Sequence, residues 1–203
     1  MVQVKKAEVR DSILKSAFRL FKRKGYVTTT TAQIAAGAKV SESNLYIYFD
    51  SKFEILFALC DPWMRERIAR LERHLAGERQ ARQRLQIILT ALWLEMPSED
   101  SGFANNLMQA LATTARREGY RPELLRWIEA RIETLILDCL PEPRRIQLAD
   151  GGLAHLLMMA QDGFVLNYHL NPESVCPDTT VNLVCDLLIG DSAKFPSQRS
   201  SIA

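Results

Sequence analysis

Apolar side chains return at three- and four-residue intervals along most of the chain, the spacing of helices that each bury one face. Val9, Ile13, Ala17, Leu20 and Phe21 set this rhythm over residues 6–24, and Gly25 stands where a C-terminal cap is expected. Thr30-Thr31-Ala32-Gln33 has the form of a capping box and predicts a short second helix carrying Ile34 and Ala35. A tight turn is expected near residues 37–40. Ser41 then caps a third helix, with Val40 and Leu45 at the spacing of a hydrophobic staple. Ser51-Lys52-Phe53-Glu54 is a further capping box and opens a fourth helix toward His74, which Pro62 should kink or restart near Asp61.

Beyond Gly77 the same periodicity predicts longer amphipathic helices over 79–96, 103–117, 122–140, 144–170 and 179–189. Their breakers are Pro97, Gly119, Pro141 with Pro143, and Pro172 with Pro177. There is no strand alternation, internal repeat or glycine-rich phosphate loop. The expected fold is all-α. A three-helix head covers 1–52, a connecting helix and a five-helix body cover 53–190, and the Ser-rich tail over 191–203 is expected to be disordered.

The third helix carries more large side chains than a core can take. With Leu45 facing inward, Phe49 falls on the same side at about 100° per residue, while Ser43, Asn44, Tyr46 and Ile47 point outward. Two short helices joined by a tight turn make a helix-turn-helix, whose second helix enters the DNA major groove. There Ser43 and Asn44 can bond base edges, and Ile47 can meet a thymine methyl. Tyr46 and Tyr48 can reach phosphate oxygens. Lys52 lies in the first turn of the fourth helix, where the dipole disfavours a cation. A phosphate held jointly by the helix N–H groups and the ammonium accounts for it, the alternative being a solvated lysine at a cost of a few tenths of a kcal/mol.

Charge supports a polyanion-binding head. Residues 1–52 hold ten Lys/Arg against four Asp/Glu, hence +6, and the remainder holds sixteen against twenty, hence −4. No basic-then-apolar leader opens the chain and no apolar run is long enough to span a bilayer, so a cytoplasmic protein without a membrane partner is expected. Cys60, Cys139, Cys176 and Cys185 are scattered without a CxxC pair and read as reduced thiols.

Residues 28–59, TTTTAQIAAGAKVSESNLYIYFDSKFEILFAL, resemble the DNA-binding segment of TetR-family transcriptional regulators. The likeness is carried by the threonine before the second helix, Ile34-Ala35, Val40-Ser41, Leu45-Tyr46, Tyr48-Phe49 and Ser51-Lys52. AQDGFVLNYHL, residues 160–170, is similar to the family's penultimate helix. The resemblance implies that Thr30 and Thr31 contact the DNA backbone, that Glu42, Ser43, Asn44 and Ile47 face base edges, and that Tyr46, Tyr48 and Lys52 hold phosphates. Lys5 and Lys6 either reach the adjacent minor groove or backbone, or form a frayed basic terminus. Two positions depart from the family pattern. Lys39 replaces a frequent glycine, and a positive φ there would store about 1–2 kcal/mol of strain. Glu42 stands where a cationic or amide residue is common; phosphates repel it, yet it can accept from a cytosine amino group.

A duplex is usually read by two such heads roughly 34–36 Å apart, so a palindromic operator and a homodimer are expected. In the helix over 144–170, Gly152, Leu156, Met159 and Gly163 form one stripe, and Leu153, Leu157, Ala160 and Phe164 the next. A helix apolar over most of its circumference is covered on more than one side. Val181, Val184, Cys185 and Leu188 would complete a four-helix bundle with the partner's copies, the alternative being a central helix in a monomer.

The resemblance further implies a small apolar or amphipathic effector in the body. An uncharged polar stripe, Asn106, Gln109 and Thr113, and the apolar Trp93, Met96, Phe103, Trp127 and Met159 are candidates for its pocket, against solvent and plain core as the alternatives. The function expected is a repressor released from its operator by that effector. A regulator that is constitutive or controlled by a protein partner is the alternative, and an all-helical enzyme or metal protein a remote one. His155, Asp162 and His169 stand seven residues apart, too far for one metal ion, and no nucleophile elbow or catalytic carboxylate pair occurs. No catalytic residue, metal ligand or cofactor is assigned.

Overall fold

The computed structural model describes residues 2–99, 102–113, 122–149, 152–173 and 175–190. Every regular element among them is helical: α1 (Val2–Thr28), α2 (Thr31–Gly37), α3 (Glu42–Leu45), α4 (Lys52–Leu75), α5 (Ala81–Thr90), a π-helical turn (Ala91–Glu95), α6 (Met96–Glu99), α7 (Phe103–Thr113), α8 (Glu123–Leu137), α9 (Glu142–Leu148), α10 (Gly152–Leu170) and α11 (Asp178–Ile189). The expected tail and the end of the helix beyond residue 113 lie outside the described residues. No described helix is long and apolar enough to cross a membrane.

The chain divides into two compact units, one of Met1–Ala69 with Glu99–Leu125 and the other of Arg70–Ser98 with Arg126–Ala203. In the first, Ile13, Ala17 and Phe21 of α1 close on Ile34 and Ala35 of α2, on Leu45 and Phe49, and on Phe53, Ile55 and Leu56 of α4. Ala110 of α7 joins this core, so α7 belongs with the head rather than with the body. In the second unit, Trp93 donates its indole N–H to the Leu157 carbonyl at 3.2 Å and its ring meets Phe164 at 5.4 Å. α11 packs on α5, where Arg82 bonds the buried Asp186 at 2.7 Å and Gln86 bonds Asn182 at 2.6 Å.

Several boundaries differ from the sequence pattern for physical reasons. Gly25 does not cap α1 in the left-handed region; at φ 81°, ψ 168° it breaks the helix in a conformation open only to glycine. α4 passes through Pro62 without a restart, because Ile55, Leu56, Cys60, Ile68, Leu71 and Leu75 keep burying one face on either side of the lost N–H. Pro97 also fails to stop its helix. The turn ahead of it widens, with the Met96 N–H reaching back to Ala91, and α6 continues to Glu99. Where a single helix is expected over 144–170, the described residues form two, α9 ending at Leu148 and α10 starting at Gly152.

Candidate nucleic-acid interface

The capping box read from the sequence sets the start of α2. The Thr30 hydroxyl accepts the Gln33 N–H at 3.3 Å, and the Gln33 side chain accepts the Thr30 N–H at 3.2 Å. Ser41 caps α3 by accepting the Asn44 N–H at 3.1 Å. Between them the Val40 N–H folds back to the Ala35 carbonyl at 3.0 Å, which needs a left-handed residue at position 39. Lys39 supplies it with φ 60°, so the turn keeps its shape at the strain cost anticipated for a residue with a Cβ.

Regular α-helix in α3 lasts only from Glu42 to Leu45. The chain then tightens, with the Ile47 N–H bonded to Asn44 at 3.2 Å and Tyr48 to Leu45 at 3.0 Å. The facing derived from the pattern survives this change. Leu45 and Phe49 are buried, Ser43 is exposed, and Tyr46 and Ile47 project at 48% and 72% exposure. Asn44 and Tyr48 are half-buried, and Tyr48 also packs on the head core.

Three of the candidate DNA contacts form a chain across the two helices. The Tyr46 hydroxyl donates to Thr31 Oγ1 at 3.3 Å, and the Thr31 hydroxyl donates to the Glu42 carboxylate. Lys52 has a different setting from the one its helix position suggested. Its Nζ donates to the carbonyls of Tyr26 and Thr29, each at 2.8 Å, and lies 4.2 Å from the centre of the Tyr26 ring. Burial, and then the Lys24 charge, hold its pKa below the usual lysine range. The ammonium therefore ties the start of α4 to the chain following Gly25, with or without a phosphate; the Tyr26 carbonyl it meets also accepts the Thr29 N–H at 3.2 Å. An open groove of about 740 Å³ is lined by Thr30, Thr31, Tyr46, Ser51 and Lys52, with Asp50 beside them. The Thr30 and Ser51 hydroxyls, which accept cap bonds and keep their own O–H, and the remaining ammonium N–H are donors suited to phosphate oxygens.

A second groove, of about 670 Å³ between α1 and α2, went unnoticed in the sequence although its signal was there. Residues 12–41 hold six Lys/Arg and no Asp/Glu, and three of those cations, Arg19, Arg23 and Lys24, line this groove. Lys6 is exposed at the start of α1, and the side chain of Lys5 lies outside the described residues.

The proposed pocket residues do not gather in one unit. Asn106 and Gln109 pack on the first helix: Asn106 Nδ2 donates to the Gly102 carbonyl at 2.6 Å and the Phe21 carbonyl at 3.4 Å, and Gln109 lies against Gly25. Trp93 and Met96 are buried in the second unit, Trp127 is half-buried there, and the Phe103 side chain is outside the described residues. Met159 is 44% exposed, which suits a covered outer face better than a pocket wall.

On α10, Gly152, Leu156, Met159 and Gly163 all face outward, and the stripe continues through Leu166 and Leu170. A Cβ added at Gly152 or Gly163 would meet nothing within 4 Å. α11 is turned the other way from the sequence reading. Val181, Cys185 and Leu188 are buried in the chain's own core and Val184 is half-buried, while Leu183 and Leu187 are exposed. Both faces of α11 are apolar, so periodicity alone could not orient it.

Residues 13–59, the α1-to-α4 segment that carries this geometry, match the profile of the bacterial regulatory proteins, tetR family. The chain is 22% identical to the nicotine-responsive transcriptional repressor HdnoR of Paenarthrobacter nicotinovorans over 93% of this chain and 95% of that protein. It is 50% identical over 50 residues to the transcriptional regulator HbdR of Aromatoleum sp. (strain CIB), a match that spans 25% of this chain and 22% of that protein's length. A TetR-family regulator from Bordetella parapertussis 12822 superposes with a TM-score of 0.55 at 25% identity, covering 89% of this chain and 94% of that one. Residues 13–59 thus form a helix-turn-helix head of the tetR-family type, on an all-helical chain whose fold is shared with a TetR-family regulator.

Proposed function

We propose that the protein is a homodimeric repressor that reads a palindromic operator with two copies of the α2–α3 head and leaves it when a small molecule binds the body. The observation that carries the DNA-reading part is the outward set Ser43, Tyr46 and Ile47 on α3 and the turn that follows it, next to a groove walled by Thr30, Thr31, Ser51 and Lys52. Glu42 and the half-buried Asn44 and Tyr48 complete the proposed contact set. Pairing is supported by the exposed leucines of α10 and α11, a face too apolar to be left to water.

An effector is supported by Gln161. This side chain is buried beside Met96, with its Nε2 3.7 Å from the Met96 sulfur, and its amide oxygen has no hydrogen-bond partner among the described residues. An amphipathic molecule with a hydrogen-bond donor would satisfy that oxygen while its apolar part lies against Trp93 and Met96. The relative HdnoR is nicotine-responsive and a repressor, which favours ligand control and repression here. Action on DNA supports a cytoplasmic location.

The test is a fluorescence-anisotropy titration against duplex from the upstream intergenic region of its own gene, with excess random competitor. Tight binding that Tyr46→Ala weakens by about tenfold is expected. Binding no tighter than to random DNA, unchanged by that substitution, would refute the operator reading. Compounds that raise the melting temperature and release the duplex together identify the effector.

A further inference from the structure

We infer that Glu42 selects a cytosine in the operator by accepting from its 4-amino group, with Thr31 and Tyr46 as positioning residues; this rests on α3 reading the major groove. Glu42 is the only acidic residue between Thr30 and Tyr48, and it is exposed on the first residue of α3. A carboxylate can only accept hydrogen bonds. Phosphate oxygens, guanine O6 and N7, thymine O4 and adenine N7 are all acceptors and repel it. The two donors on major-groove edges are the amino groups of cytosine and adenine. The adenine amino group adjoins N7, whose lone pair opposes the carboxylate, whereas the cytosine amino group adjoins a C–H edge. Cytosine is the base that leaves a carboxylate without a repelling neighbour.

The structure shows the side chain held by a neighbour. Thr31 donates its hydroxyl to Glu42 Oε1, and Tyr46 donates to Thr31 at 3.3 Å, so α2 and α3 both hold the carboxylate in place. No other side chain among the described residues bonds it. A side chain ordered before binding loses little entropy when the base arrives, so one charge-assisted hydrogen bond can be expressed as selectivity.

The experiment is selection of bound duplexes from a random pool by the wild-type protein and by Glu42→Ala. The wild type is expected to enrich a half-site with a C·G pair at one position, and Glu42→Ala to lose about tenfold preference at that position while keeping the others. Replacing that cytosine by 2-pyrimidinone, which lacks the amino group, should weaken the wild type by a similar factor and leave Glu42→Ala unaffected. The same motif from both proteins, or a Glu42-dependent preference for adenine or guanine, overturns the inference and leaves the Thr31–Glu42 bond as a clasp between helices. A wild-type protein that enriches no motif removes the DNA-reading role itself. Matching thermal melts of the two proteins exclude misfolding as the cause of any difference.

Discussion

At the scale of single residues, Lys52 shows how a side chain can serve the fold at a place where function alone seemed to explain it. Two backbone carbonyls, those of Tyr26 and Thr29, receive its ammonium at 2.8 Å each. Lys52→Met keeps the stem and removes both bonds, so unfolding in urea should show a loss of about 1–2 kcal/mol. An unchanged midpoint would mean that water satisfies those carbonyls equally well. Asp162 offers a test of opposite character. Burial raises its carboxyl pKa above the ordinary 3.8, so the folded chain holds a proton that the unfolded chain has already released. Stability from this group is present below that value and is lost as pH rises through the raised folded pKa. Asp162→Asn should therefore raise the melting temperature at neutral pH, with the gain shrinking to nothing as the pH falls below about 3.8. A gain that is the same at both pH values would show that the carboxylate is not penalised by burial.

At the scale of elements, the break at Gly25 joins two facts that the sequence kept apart. Its φ of 81° is closed to other residues, and a Cβ there would come within 3.3 Å of the Gln109 side chain on α7. Gly25→Ala should cost about 1–3 kcal/mol and speed amide exchange in α7 as well as at the end of α1. Exchange confined to α1 would mean that α7 does not depend on the close approach. Local signals were the most legible part of this chain: the caps at Thr30 and Ser41 and the facing of Leu45 and Phe49 rest on hydrogen bonds and periodicities spanning a few residues. What could not be read depended on contacts between distant segments. The orientation of α11 was decided by α5, the partners of Lys52 by the end of α1, and the roles of Asn106 and Gln109 by the same helix. The passage of α4 through Pro62 reflects packing that outweighs a single missing donor, and that through Pro97 the widened turn ahead of it.

At the scale of the whole molecule, the face that stays exposed carries the prediction. Leu156 on α10 is 64% exposed and Leu187 on α11 is 51% exposed, whereas Val181 and Cys185 are interior. Leu156→Glu with Leu187→Glu should leave the helical content intact, convert the protein to a monomer in sedimentation, and weaken operator binding about 100-fold or more by removing the second head. A dimer that survives this pair of charges would place the interface elsewhere. The pairing proposed through this stripe of leucines would have a consequence for the cell. Chains that must meet before they can grip DNA occupy an operator in proportion to the square of their number when they are scarce. Halving the gene dosage would then cut occupancy to about a quarter rather than a half, and the regulated promoter would respond to expression level with a threshold instead of a slope.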